Sequence, residues 1–149
     1  MKSAMEGSLI VVKLDDGDDL LAMLRLVAEH YRIESGLVHW GIGAVQNFEL
    51  GYFDGHEYHR RVFAPPHELL SLHGTITVAS EPAMHLHLAA GGPGHQVVGG
   101  HVFKAAISTL GEVCLSRLED VRLTRVLNPK TGLRELVPEQ AHGGAAPTR

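Results

Sequence analysis

Apolar and polar residues alternate along most of this chain, and one helical period interrupts the alternation. Ser8 to Leu14 (SLIVVKL) is a short apolar run of strand type. Asp15-Asp16-Gly17-Asp18-Asp19 follows, and acidic residues suit a helix start, where they accept from free amides and oppose the positive end of the dipole. Read instead as a calcium loop, the run has the wrong spacing and no glutamate closes it. Leu20, Leu21, Leu24, Val27, Ala28 and Tyr31 then recur at helical spacing, with Asp18, Arg25, Glu29 and Arg32 on the other face. Glycine in Ser35-Gly36 is the expected terminator.

Beyond the helix the period returns to two. Leu37 to Phe53 reads as strand, Asp54-Gly55 as a turn, and Glu57 to Phe63 as the returning strand. Pro65-Pro66 breaks the pattern. In Leu69 to Val78, the residues Leu70, Leu72, Gly74, Ile76 and Val78 share one face, and Ser71, His73, Thr75 and Thr77 share the other. One apolar and one polar face is the mark of an antiparallel sheet packed on one side. Ala83 to Ala90, Val97 to Phe103, Thr109 to Leu118 and Val121 to Val126 complete the predicted strands. The tail from 138 to 149 is small, polar and aperiodic, and is expected to be disordered.

Composition narrows the class without naming a function. A chain of 149 residues with 44% hydrophobic and 20% charged residues fits one globular domain. A net charge of −4 argues against nonspecific nucleic-acid binding, whose footprint is basic. The lone cysteine, Cys114, excludes an internal disulfide and a cysteine-based zinc site, and its apolar neighbours suggest a core residue. No apolar run is long enough to span a membrane, and the first residues lack a signal peptide's apolar stretch, so the expected location is cytoplasmic. Gly41-Ile42-Gly43 is half a dinucleotide fingerprint with no helix pattern behind it, and close packing or a bulge explains it better.

The chemistry concentrates in the histidines. His85 and His87 are two apart on a predicted strand and so share a face. Gly91-Gly92-Pro93-Gly94 turns the chain, and the return strand carries Gly99-Gly100-His101. If His101 lies opposite His85 or His87, three imidazoles converge, a recipe for zinc or a similar divalent transition metal. A slip of one residue sends His101 to the other face, leaving ordinary strand histidines. His73, on the polar face of a nearby strand, and Glu68 form an additional candidate site. Glu49 and Glu112 join Glu68 as candidate carboxylates for catalysis, and His39 and Trp40 as candidate pocket residues. The turn from Gly91 to Gly94 could cradle an anion with its amides, although a plain hairpin turn accounts for it.

Three motifs carry a resemblance: Gly41-Ile42-Gly43-Ala44 running into Leu50-Gly51-Tyr52-Phe53; Glu68-Leu69-Leu70-Ser71-Leu72-His73-Gly74; and His85-Leu86-His87 with Gly99-Gly100-His101. In this order they resemble the PPC (plants and prokaryotes conserved) domain over residues 8 to 137. The resemblance implies an α+β fold, a central antiparallel β-sheet with flanking helices, and a homotrimer. It also implies a metal at the positions of His85, His87 and His101. Plant members bind DNA through AT-hooks. This chain has no Arg-Gly-Arg-Pro element, so nucleic acid is an unlikely partner, and the chain resembles the free-standing prokaryotic members. Three functions follow as expectations: a trimeric binding or assembly module with a three-histidine metal site; a metal-dependent hydrolase or lyase of a small molecule; and DNA binding, as the family's name suggests.

Overall fold

In the computed structural model, which describes residues 1–141, strands carry nearly the whole chain. The elements are β1 (Lys2–Glu6), β2 (Leu9–Asp15), α1 (Leu20–His30), β3 (Ser35–Phe53), β4 (Tyr58–Phe63), β5 (His67–Thr77), β6 (Met84–Gly91), β7 (Val97–Arg117), β8 (Val121–Leu127) and β9 (Arg134–Gln140). Seven strands form an antiparallel sheet in the order β1-β2-β7-β6-β5-β3-β4, and β3 also pairs with β7. That extra pairing closes β7, β6, β5 and β3 into a ring. Closure leaves these four strands no free edge, and the sheet ends instead at β1 and β4. β8 and β9 form a separate two-stranded sheet.

The α+β expectation with flanking helices is therefore corrected. Among the described residues there is one helix, α1, and the rest of the regular structure is β. Outside residues 20–30 the apolar residues keep a strand-like period, which gives no second helix an apolar stripe to bury.

The helix begins as the acidic run predicts. Asp19 is its N-cap, with its carboxylate accepting from Ala22 N at 2.9 Å. It ends earlier than predicted, with Tyr31 as C-cap and Arg32 taking the left-handed conformation at φ 53°. Gly36 lies inside β3 instead, where a β-carbon would stand 2.7 Å from Ser116 O. Leu20, Leu24, Val27 and Ala28 of α1 are buried with Ile10, Val12 and Leu14 of β2 and with Ile107, Val113 and Leu115 of β7. The alternation along β2 thus puts one side in the core and leaves Leu9 and Val11 exposed.

Two strands are longer than their sequence signals. The predicted strands 97–103 and 109–118 are halves of one continuous β7, and β3 likewise runs for 19 residues. Both bend through register shifts between Val38 and Trp40, Gly43 and Val45, and Gln46 and Leu50. In β5 a shift between Leu69 and Ser71 changes the face pattern: Leu69 is buried and Leu70 exposed, whereas Leu72 and Ile76 point to the core as expected. β1 and β9 were not anticipated. β9 takes in Pro138 to Gln140, the first residues of the predicted tail, and 142–149 lie outside the described residues.

Candidate metal centre

Register decides the site, and it falls in the converging arrangement. β6 and β7 pair antiparallel with His87 directly opposite His101. On the other side of β6, His87 faces His73 and His85 faces Thr75. Directly opposed residues share a face, and diagonal ones lie within reach of long side chains, so His85, His87 and His101 meet on one side of the sheet. Two glycines make room. A β-carbon on Gly74 would stand 2.0 Å from His85 O, so glycine lets β5 and β6 approach there. Gly51 lies opposite His101 on β3, and a β-carbon on it would come within 2.5 Å of the Phe103 ring.

His85 Nε2 and His87 Nε2 are 3.0 Å apart, and one ring nitrogen from each of the three histidines lies within 4.8 Å of the others. Zn–N bonds of about 2.0–2.1 Å in a tetrahedron separate ligand nitrogens by about 3.3 Å. The trio thus stands within about 1.5 Å of coordination spacing before any ion draws it together. His101 Nδ1 is buried with no hydrogen-bond partner. An orphaned buried nitrogen is costly, and coordination is one way to satisfy it. These residues fit a divalent transition metal.

The electrostatics suit the same role. Burial lowers the pKa of all three imidazoles. For His85 the positive charge of Arg125 and the neighbouring His87 add to that effect. His101 falls furthest, to about 4, through burial and then through His85, His87, Arg60 and Arg125. Neutral rings at pH 7 offer lone pairs without first losing a proton.

The other candidates separate. His73 lines the same cavity, but its Nδ1 donates to His39 O at 2.8 Å and it lies outside the cluster of ligand nitrogens. Glu68 is exposed on β5, opposite Gly91. Glu112 is also exposed, and Glu49 leans toward Arg60 at 3.8 Å. None of the three carboxylates lines the cavity over the histidines. His39 Nε2 bonds Ser116 Oγ at 2.8 Å, and Trp40 is exposed on the sheet. Cys114 is buried, as its neighbours suggested. The turn after Gly91 closes on itself, Gly92 N donating to Gln96 O and His95 N to Gly92 O, both at 2.9 Å.

Sequence reasoning missed the residues that wall the cavity. It measures about 960 Å³, and Tyr58, Arg60, Phe103 and Arg125 line it beside the three histidines. One signal was present: Leu123 and Arg125 share the buried phase of β8, so an arginine occupies a position where alternation calls for an apolar residue. Arg125 reaches across to β5, its Nη2 donating to Thr75 Oγ1 at 2.6 Å.

Fold and site define a class: a small β-ring domain with three histidines grouped in the lining of a cavity. The chain belongs to the Plants and Prokaryotes Conserved (PCC) domain family, whose description residues 1–119 match. Among solved structures it is similar to a metal-containing protein from Archaeoglobus fulgidus (29% identity, 92% of this chain and 99% of that one, TM-score 0.79). It is also similar to a plant- and prokaryote-conserved protein from Pyrococcus horikoshii (24%, 90% and 94%, TM-score 0.76). A third similar structure, from Bacteroides thetaiotaomicron, carries a provisional DNA-binding name (24%, 91% and 96%, TM-score 0.83). No protein of curated function matches. Among the described residues, no helix is long and apolar enough to cross a membrane.

Proposed function

We propose that this chain is a homotrimeric, cytoplasmic binding and assembly module that holds a zinc-type divalent ion on His85, His87 and His101. The observation that carries the reading is the grouping of three largely neutral imidazoles, one with an orphaned buried nitrogen. The metal-containing neighbour from Archaeoglobus fulgidus supports it. Three protein ligands leave a fourth position for water or a ligand.

Self-association is supported by an apolar stripe on the outer face of the sheet. Val11 lies opposite Cys114, and Cys114 opposite Trp40, so the row crosses β2, β7 and β3. Leu9, Val11, Trp40, Ile42 and Leu110 are all exposed in the single chain. Lys13 and Glu112 pair on the same face beside this row, so the apolar surface is bordered by charge, as interaction patches are.

Elemental analysis of protein purified without a metal-affinity tag, together with mass by light scattering, tests both halves. The expected result is about one ion per chain in a particle of trimer mass. A monomeric mass would overturn the assembly reading, and metal-free protein the ion reading.

The cavity favours a second reading, a metal-dependent hydrolase or lyase. A bound ion there would lower the pKa of its water to about 7. Turnover of esters, phosphates or lactones by the metal-loaded protein would support it. DNA binding has the name of one neighbour behind it, but the net charge of −4 opposes it.

A further inference from the structure

We infer that the cavity over the three histidines binds a small organic carboxylate, with Arg125 as its charge partner. Arg125 is only 6% exposed, yet it forms no ion pair among the described residues. Its Nε is buried without a partner, and its Nη2 is fixed on the neutral Thr75 hydroxyl. A buried cation with no counter-charge is costly to keep. The acidic residue of the same cavity, Glu135, is bound instead by Asn128 Nδ2 at 2.7 Å. Among the described residues Glu135 is thus no ion-pair partner of Arg125, which leaves the guanidinium available to a negative charge brought in from outside.

Placement ties that charge to the histidines. Thr75, which anchors the guanidinium, lies directly opposite His85. Arg60 adds a second cation, stacked 3.6 Å over Phe103 and only loosely paired with Glu49 at 3.8 Å. The remaining wall includes Tyr58, Pro82, Leu133 and Leu136. A planar guanidinium matches a carboxylate's two oxygens, and apolar walls in a cavity of about 960 Å³ suit an organic body attached to it. A free phosphate offers nothing to those walls. Arg125 also lies beyond residues 1–119, so the family match does not account for it.

The inference rests on the ion-binding reading for one further positive charge in the cavity. Its test is calorimetric titration of the metal-loaded full chain with benzoate, with benzyl alcohol as the neutral match and with inorganic phosphate. Benzoate should saturate one site per chain, with benzyl alcohol weaker by about tenfold or more. Arg125→Gln should weaken benzoate by a similar factor at unchanged metal content. Equal binding of benzyl alcohol, tighter binding of phosphate, no saturable benzoate site, or full affinity in folded Arg125→Gln would each overturn the inference. If that variant does not fold, the three probes on the unaltered chain decide. Elemental analysis of the same samples separates the two readings: absence of metal counts against the ion, and benzoate bound to metal-free protein leaves the carboxylate inference standing.

Discussion

Two histidine settings in this molecule differ by an acidic neighbour and by burial. His59 is exposed near the tip of the β3–β4 hairpin and donates to Asp54 Oδ2 at 2.7 Å. That bond raises the His59 pKa. Asp54 in turn falls to about 2, chiefly because Glu57 N donates to it, and then through His59 and His56 N. Among the described residues His85, His87 and His101 pair with no carboxylate, and burial moves their pKa the other way. The hairpin favours an imidazolium held by its carboxylate partner, whereas burial in the cavity favours three neutral rings. Chemistry here follows from what surrounds the ring, not from the count of eleven histidines.

The contrast can be broken most directly by deletion. His87→Ala should abolish stoichiometric metal, and His59→Ala should leave it intact, both measured by elemental analysis. Full metal in His87→Ala would refute the ligand assignment. Chelation comes next in size. A ligand at a hundredfold excess over its Kd stabilises by about 2.7 kcal/mol, so stripping the ion should lower the melting temperature of the unaltered chain and leave that of His87→Ala where it was.

Acid sharpens the comparison further. In metal-free protein the folded pKa of His101, about 4, lies below its ordinary 6.5, so between these values the unfolded chain binds more protons. Stability should hold above pH 6.5 and decline as the pH falls toward 4, and His101→Phe should flatten that slope in denaturant titrations. His59 has the opposite sign. Its folded pKa is raised, so its contribution is present below 6.5 and is lost as the pH rises through the folded value. Because it is exposed, this is the smallest effect. Its clean readout is a proton titration by NMR, in which Asp54→Asn should return His59 toward 6.5.

Much of the site was legible because it depends on local parity. The alternation of Met84, Leu86 and Leu88 with His85 and His87 fixes which side the imidazoles take. The partner strand was legible only as a condition, since nothing in Gly91 to Val97 states how many residues the turn consumes. Arg125 escaped for another reason. It comes from a different sheet, and its reach to Thr75 is a tertiary contact with no spacing in the sequence.

The fold was legible wherever one face is buried, as in α1, β2 and β6. It was illegible where strands bury nothing: all five residues of β1 are exposed, and β9 is nearly so. The bulge near Leu70 and the continuity of β7 through residues 104–108 also escaped, since both depend on pairing with distant strands. Flanking helices were expected from the family resemblance, and the measured period of the residues does not supply them.

The ring leaves the loop after Gly91 with little to do. Besides their common ladder, the strand bearing His87 is stitched to β5, and the one bearing His101 is stitched to β3 at Gly51. A chain cut within 92–96 and rejoined at its old ends should keep all three imidazoles aligned, because the circle of neighbours holds them in place without the loop. Length and composition there are consequently free to drift, and new termini or grafted segments can be introduced in this loop, none of whose residues lines the cavity, without dismantling it.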